Sequence, residues 1–181
     1  MIKTIILDRD GVINHDAPTG IHSPDMWQPI PGSLEAIAAL NRAGWRVFVI
    51  TNQSGIARQY YDLAALSDIH EKMMRALAAV GGYIQEIFFC PHHPNDGCHC
   101  RKPQPGLFSQ CQEKYGFHPE TVYFVGDSLT DIQAAKAAGC KPLLVLTGKG
   151  QITAETHSLQ DVPVFPDLAA AAAFIVQETD A

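Results

Sequence analysis

The chain has 181 residues, 46% apolar and 18% charged, a size and composition that suit one globular domain with a buried core. Lys and Arg number 13 against 19 Asp and Glu, for a net charge of −6. With no basic run, this argues against binding a nucleic-acid backbone, so any phosphate must be held by a few placed residues.

Residues 4–7, a β-branched apolar run, read as a buried strand that ends at Asp8. That run is too short for a signal-peptide core, and no stretch approaches a membrane span; a cytoplasmic monomer is expected. An irregular loop marked by Gly20, Pro24, Pro29, Pro31 and Gly32 follows. Ser33 is placed to cap a helix that Gly44 stops, and residues 46–50 form the second strand. Asp62 caps a long helix with Leu66, Ile69, Met73, Leu77 and Val80 at helical spacing, ended by Gly81 and Gly82. Residues 84–89 read as the third strand, and a helix runs from Pro105 to Gly116. Then come a strand over 122–125, a helix over 128–138 stopped by Gly139, and a strand over 143–146. Residues 164–165, flanked by Pro163 and Pro166, fit only an edge strand, and Asp167 caps an alanine-rich helix. The alternation predicts an α/β fold, an open parallel sheet with helices on both faces, in one domain over 1–181. Sites in such folds lie beyond the carboxyl ends of the strands.

Four strand ends carry chemistry. Asp8-Arg9-Asp10-Gly11 ends the first; residues two apart in extended chain point to one side, so Asp8 and Asp10 converge and Arg9 points away. Paired carboxylates suit magnesium and divide labour between a nucleophile and a general acid and base. The same pair can also be a solvated turn. Thr51-Asn52-Gln53-Ser54 offers neutral donors suited to phosphate oxygens, or a polar turn and helix cap. Lys102 can neutralise the phosphoryl group and Asp8, and Arg101 can fork onto an oxyanion. Gly126-Asp127-Ser128-Leu129-Thr130-Asp131 adds Asp127 to the metal's oxygen shell, while Asp131 either orients Lys102 or stabilises a helix dipole.

The order of these motifs resembles the haloacid dehalogenase superfamily of phosphohydrolases. The resemblance implies a Rossmann-like fold, here without a large cap domain. It implies an aspartyl-phosphate on Asp8, Asp10 as acid and base, and magnesium held by Asp8, the Asp10 backbone carbonyl and Asp127. Val12 stands where many members have Thr.

Between Cys90 and Cys100 lie three thiols and three imidazoles. Cys90, His92, Cys98 and Cys100 suit a closed tetrahedral zinc site in the loop 90–100, with His93 or His99 able to replace His92. Zinc there would fix Arg101 and Lys102 against the phosphate site; the alternative is reduced thiols on a surface loop. Cys111 and Cys140 read as small core residues. Together with Thr51-Asn52-Gln53-Ser54-Gly55-Ile56-Ala57-Arg58, this loop is similar to that of the heptose-bisphosphate phosphatase branch, whose sibling is the histidinol-phosphatases. The likeness implies removal of the 7-phosphate of a heptose 1,7-bisphosphate on the way to nucleotide-activated heptose. Asp16, Ala17, Pro18, Thr19, Thr51, Asn52, Gln53, Ser54, Arg101 and Lys102 would then contact the sugar phosphate. Ser128 stands where that branch often has Lys. A reading from another class is a zinc-stabilised binding module without catalysis; a nucleotide-dependent phosphotransferase would need a Walker-type loop, which is absent.

Overall fold

The Thr-Ile-Ile-Leu run forms strand β1 (Thr4–Leu7), buried along its whole length. The computed structural model describes residues 2–180. The remaining strands are β2 (Arg46–Asn52), β3 (Glu86–Cys90), β4 (Tyr123–Gly126), β5 (Lys141–Val145) and β6 (Val164–Phe165). They make one parallel sheet in the order β3-β2-β1-β4-β5-β6. β1 is central because it alone pairs with both β2 and β4, with Leu7 opposite Val49 and Val125. β6 lies at the edge, where its flanking prolines cost no ladder bond.

Side-chain alternation along the strands makes two apolar layers. Ile5, Leu7, Val47 and Val49 face α1 (Ser33–Arg42), α2 (Leu63–Ala79) and α6 (Leu168–Asp180). Ile6, Phe48, Ile50 and Phe124 face α3 (Gly106–Tyr115) and α4 (Leu129–Ala137). Strands buried on both faces need continuous apolar runs, which is what the sequence supplies. The stripe Leu66, Ile69, Met73 and Leu77 is the buried face of α2, and the Asp62 carboxylate caps that helix by accepting from Ala65 N at 2.8 Å.

Three local expectations change. Ser33 is not a cap: Gly32, at φ 84°, holds that position, and the buried Ser33 hydroxyl donates to Ile13 O at 2.6 Å. β2 runs on to Asn52 because β3 continues beside it to Cys90, with Asn52 opposite Cys90. A short helix α5 (Gly150–Thr156) follows β5 and was not foreseen, since only Gly150 and Thr153 of it are buried and no apolar stripe marks it. The loop between β1 and α1 carries only a 3-10 turn at Pro24–Met26 and the bridges Asp10–Asn14 and Asn14–Pro29. It folds back on itself rather than building a cap.

The strand order reverses between β1 and β4, since β2 and β3 lie on one side of β1 and β4 to β6 on the other. A crevice opens beyond the carboxyl ends at such a reversal.

Candidate active site

A cavity of about 410 Å³ occupies that crevice. All thirteen residues expected to bind substrate, magnesium or a proton line it: Asp8, Asp10, Asp16, Ala17, Pro18, Thr19, Thr51, Asn52, Gln53, Ser54, Arg101, Lys102 and Asp127. They come from the ends of β1, β2 and β4, from the loop between β1 and α1, and from the loop before α3.

Asp8 is anchored by one oxygen. Its Oδ1 accepts from Arg9 N at 2.8 Å and lies 3.0 Å from Lys102 Nζ. Lys102 also reaches Asp131 Oδ1 at 2.7 Å and donates to Ile50 O at 3.0 Å. Its backbone is clamped by Asn52, whose Oδ1 accepts from Lys102 N at 3.0 Å and whose Nδ2 donates to Lys102 O at 3.1 Å. Asn52 thus supports the lysine, although it was expected to face a phosphate. Both alternatives for Asp131 are realised, one per oxygen. Oδ1 holds Lys102, while Oδ2 accepts from Asp127 N and Ser128 N, each at 3.1 Å, at the start of α4. Ser128 is the N-cap of that helix and donates to the same oxygen at 2.9 Å.

The Asp10 carboxylate is held by the Arg9 side chain rather than by Lys102. Oδ1 accepts from Arg9 Nε at 3.1 Å, Arg9 Nη2 at 2.8 Å and Asn14 Nδ2 at 3.0 Å; Oδ2 accepts from Gln53 Nε2 at 3.0 Å. Arg9 therefore does not simply point away. Its wholly buried guanidinium folds back onto Asp10, with Nη1 3.0 Å from His70 Nε2 on α2. Burial alone would raise the Asp10 pKa, but Arg9, Asn14 and Gln53 outweigh it and hold the carboxyl below its ordinary value. Val12 is fully buried in the apolar layer, and Asp10 takes its side-chain hydrogen bonds from Arg9, Asn14 and Gln53.

Oxygens of Asp8, Asp127 and Asp131 lie within 4.8 Å of one another. Burial first, then the Asp131 charge, pushes Asp127 up to about 7; burial and the same neighbour push Asp8 well up, against the pull of Lys102. Three buried carboxylates share one buried ammonium, so the site carries an excess of negative charge that a hard dication would offset. The residues fit such an ion. Asp127 is aimed by Lys149 N, which donates to Oδ2 at 2.8 Å, and room is left by Gly11, at φ 81°, where a Cβ would come 2.1 Å from that oxygen.

The second cluster joins Cys90, His92, Cys98 and Cys100. Five of its six ligand-to-ligand spacings fall between 3.1 and 3.7 Å. A tetrahedral ion with bonds of about 2.3 Å to sulfur has edges of about 3.8 Å, so the set is already near that shape. All five cysteines are free thiols. His93 lies outside this set, and its Nδ1 accepts from Asn95 N at 3.2 Å. Cys90 ends β3 and Arg101 directly follows Cys100, so this cluster anchors the segment that delivers Lys102. Arg101 Nη1 is buried without a hydrogen-bond partner among the described residues.

Arg9, Asn14, Tyr61, Asp131 and the Thr147-Gly148-Lys149 turn complete the geometry. The turn lies at the end of β5, where the strand-end rule would have found it; Thr147 Oγ1 donates to Gly11 O at 2.6 Å. Arg9 and Tyr61 carried no such signal, being set by tertiary contacts.

Residues 5–85 match the model of the haloacid dehalogenase-like hydrolases and residues 99–171 a HAD-hydrolase-like model. The chain is 51% identical to the D-glycero-beta-D-manno-heptose-1,7-bisphosphate 7-phosphatase of Pseudomonas aeruginosa, over 96% of this chain and 97% of that one. It is also 51% identical to the Bordetella bronchiseptica enzyme of that name, over 98% and 99%. The crystal structure of D,D-heptose 1,7-bisphosphate phosphatase from B. bronchiseptica, complexed with magnesium and phosphate, superposes with a TM-score of 0.95 at 51% identity, covering 97% of this chain and 99% of that one. The Burkholderia thailandensis structure gives 0.77 at 44% identity, over 96% and 98%. With that agreement in sequence and fold, the chain belongs to the haloacid dehalogenase-like hydrolases, in the family of the D-glycero-beta-D-manno-heptose-1,7-bisphosphate 7-phosphatases.

Proposed function

We propose that this phosphatase removes the 7-phosphate of D-glycero-D-manno-heptose 1,7-bisphosphate through a covalent phosphoryl group on Asp8. The observation that carries the reading is Asp8 itself, a buried carboxylate held through Oδ1 by Arg9 N–H and Lys102 at the floor of a polar cavity. Oδ2 attacks phosphorus, the bond from phosphorus to the sugar oxygen breaks, and that oxygen takes the proton that Asp10 acquires once the substrate's negative charge lies beside it. Asp10 then takes a proton from water as the water oxygen attacks the Asp8 phosphoryl group, releasing phosphate and restoring Asp8. Lys102 neutralises the charge that Asp8 and the phosphoryl oxygens bring together. Asp8, the Asp10 carbonyl and Asp127 would hold magnesium, which when bound supplies the charge that three crowded carboxylates lack. Asp16, Ala17, Pro18 and Thr19 on one wall, with Thr51, Asn52, Gln53 and Ser54 on another, frame the sugar. Arg101, with a buried unpaired Nη1, is the donor suited to the second phosphate.

The substrate is tested by steady-state turnover. Heptose bisphosphate is expected to exceed histidinol phosphate in kcat/KM by about 100-fold, the scale of the roughly 1–3 kcal/mol lost when a buried polar group is left unpaired. A preference for histidinol phosphate would overturn the substrate and leave the phosphatase chemistry standing.

The Cys90, His92, Cys98 and Cys100 set is proposed to bind structural zinc, supported by its near-tetrahedral spacing. Protein purified without chelator is expected to carry about one zinc per chain by elemental analysis, and Cys98→Ser to lose both the zinc and most of its activity. Protein found without zinc would refute the assignment. The catalytic unit is taken as residues 1–181, a cytoplasmic monomer. No helix among the described residues is long and apolar enough to cross a membrane, and the exposed large apolar side chains sit on different elements.

A further inference from the structure

The two oxygens of Asp10 are held unevenly. Oδ1 accepts three hydrogen bonds, two from Arg9 and one from Asn14, which leaves no direction for a proton. Oδ2 accepts one, from Gln53 Nε2. The other hydrogen of Gln53 Nε2 goes to Thr51 Oγ1 at 2.9 Å, and Gln53 Oε1 accepts from the Tyr61 hydroxyl. An amide can exchange its oxygen and nitrogen by a half-turn, and its neighbours decide which face points where. The donor at Oε1 is Tyr61. Its phenol, pushed up to about 12 chiefly by burial, stays protonated and so stays a donor. Tyr61 is itself fixed: it stacks on His22 of the loop after β1, with centroids 5.6 Å apart at 26°, and lies over Gly55, where a Cβ would come 2.2 Å from its Cε1.

We propose that Tyr61 is a positioning residue: by fixing the Gln53 amide it keeps Asp10 Oδ2 as the oxygen that gives the proton to the leaving group and takes one from water. The proposal rests on the reading of Asp10 as general acid and base given above. Without the phenol, Gln53 samples the flipped orientation, in which its own oxygen confronts Oδ2. The penalty falls on proton transfer and spares both substrate binding and the attack by Asp8.

The test is Tyr61→Phe in single-turnover phosphoryl transfer, with two substrates. One is an alkyl phosphate that the wild-type enzyme hydrolyses; the other is p-nitrophenyl phosphate, whose leaving group departs without a proton. Release of the alcohol is expected to slow about ten-fold, part of what general acid catalysis supplies, while the p-nitrophenolate burst and both KM values stay within about two-fold. Tyr61→Phe combined with Gln53→Ala is expected to be no slower than Gln53→Ala alone. Equal slowing on both substrates, no slowing on either, a change confined to KM, or full additivity in the double variant would each overturn the proposal. Asp10→Asn separates this from the parent reading: if it slows alkyl and aryl substrates alike, Asp10 is not the general acid.

Discussion

Asp8→Asn is expected to lower kcat by about 10,000-fold or more, the scale of losing a catalytic nucleophile, while the protein melts no lower than wild type in magnesium-free buffer. The two halves of this result have one cause. Asp8 is buried, and Asp131, Asp127 and Asp10 add repulsion that Lys102 only partly offsets, so its pKa is raised on folding. A carboxyl raised in the folded state binds a proton that the unfolded chain has released. Its contribution is therefore unfavourable at neutral pH, and stability falls as pH rises from the ordinary carboxyl value through the raised one. The amide removes that charge and leaves Lys102 paired with Asp131 and Ile50 O. Calorimetry and steady-state assays together check it. Near-normal turnover would rule out the covalent route, and a Tm several degrees lower would attribute the loss to misfolding.

What the sequence made legible was what local chemistry controls. β1 is fully buried and three of its four residues are apolar, so the charge of Asp8 directly after them stands out. The helix stripe of α2 and its Asp62 cap follow from periodicity and capping alone. The cysteine and histidine loop stood out by its spacing, and ligand atoms of Cys90, His92, Cys98 and Cys100 do lie within 4.8 Å of one another. What stayed hidden depends on contacts distant in the chain. Arg9 was assigned outward by alternation, but Asp10, Asn14 and His70 offer its guanidinium partners only once α2 packs beside the β1 loop. Asn52 read as a phosphate donor because nothing local shows that Lys102, 50 residues on, needs its backbone clamped. Ser33 looked like a cap until Ile13 O was brought to it. The side chains that line the cavity were thus legible by type and place, while the groups that aim them came from the tertiary structure.

Lys102→Met tests the most constrained of those groups and is expected to fail in two separable ways. Burial alone would lower the Lys102 pKa, but Asp131 and then Asp8 raise it above its ordinary value. The ammonium therefore stays charged and lies between two carboxylates at 2.7 and 3.0 Å. Methionine fills similar space without the charge and leaves buried carboxylates uncompensated, at a cost of about 3–5 kcal/mol in urea denaturation at pH 7. Asp131 carries the pH dependence. Burial would raise its pKa, but Lys102 and Ser128 hold it below the ordinary value. A carboxyl depressed on folding contributes stability that is present above its unfolded pKa and lost as pH falls through the folded one. The variant lacks that contribution, so the gap to wild type narrows as pH falls below about 4. Adding Asp131→Asn to Lys102→Met removes one of the orphaned charges and is expected to restore part of the lost stability at pH 7. Activity should not return, because no cation remains to offset the phosphoryl oxygens, a loss of about 1,000-fold in kcat. Recovery of turnover along with stability would show that Lys102 only holds the fold, whereas stability regained without turnover assigns it to the reaction.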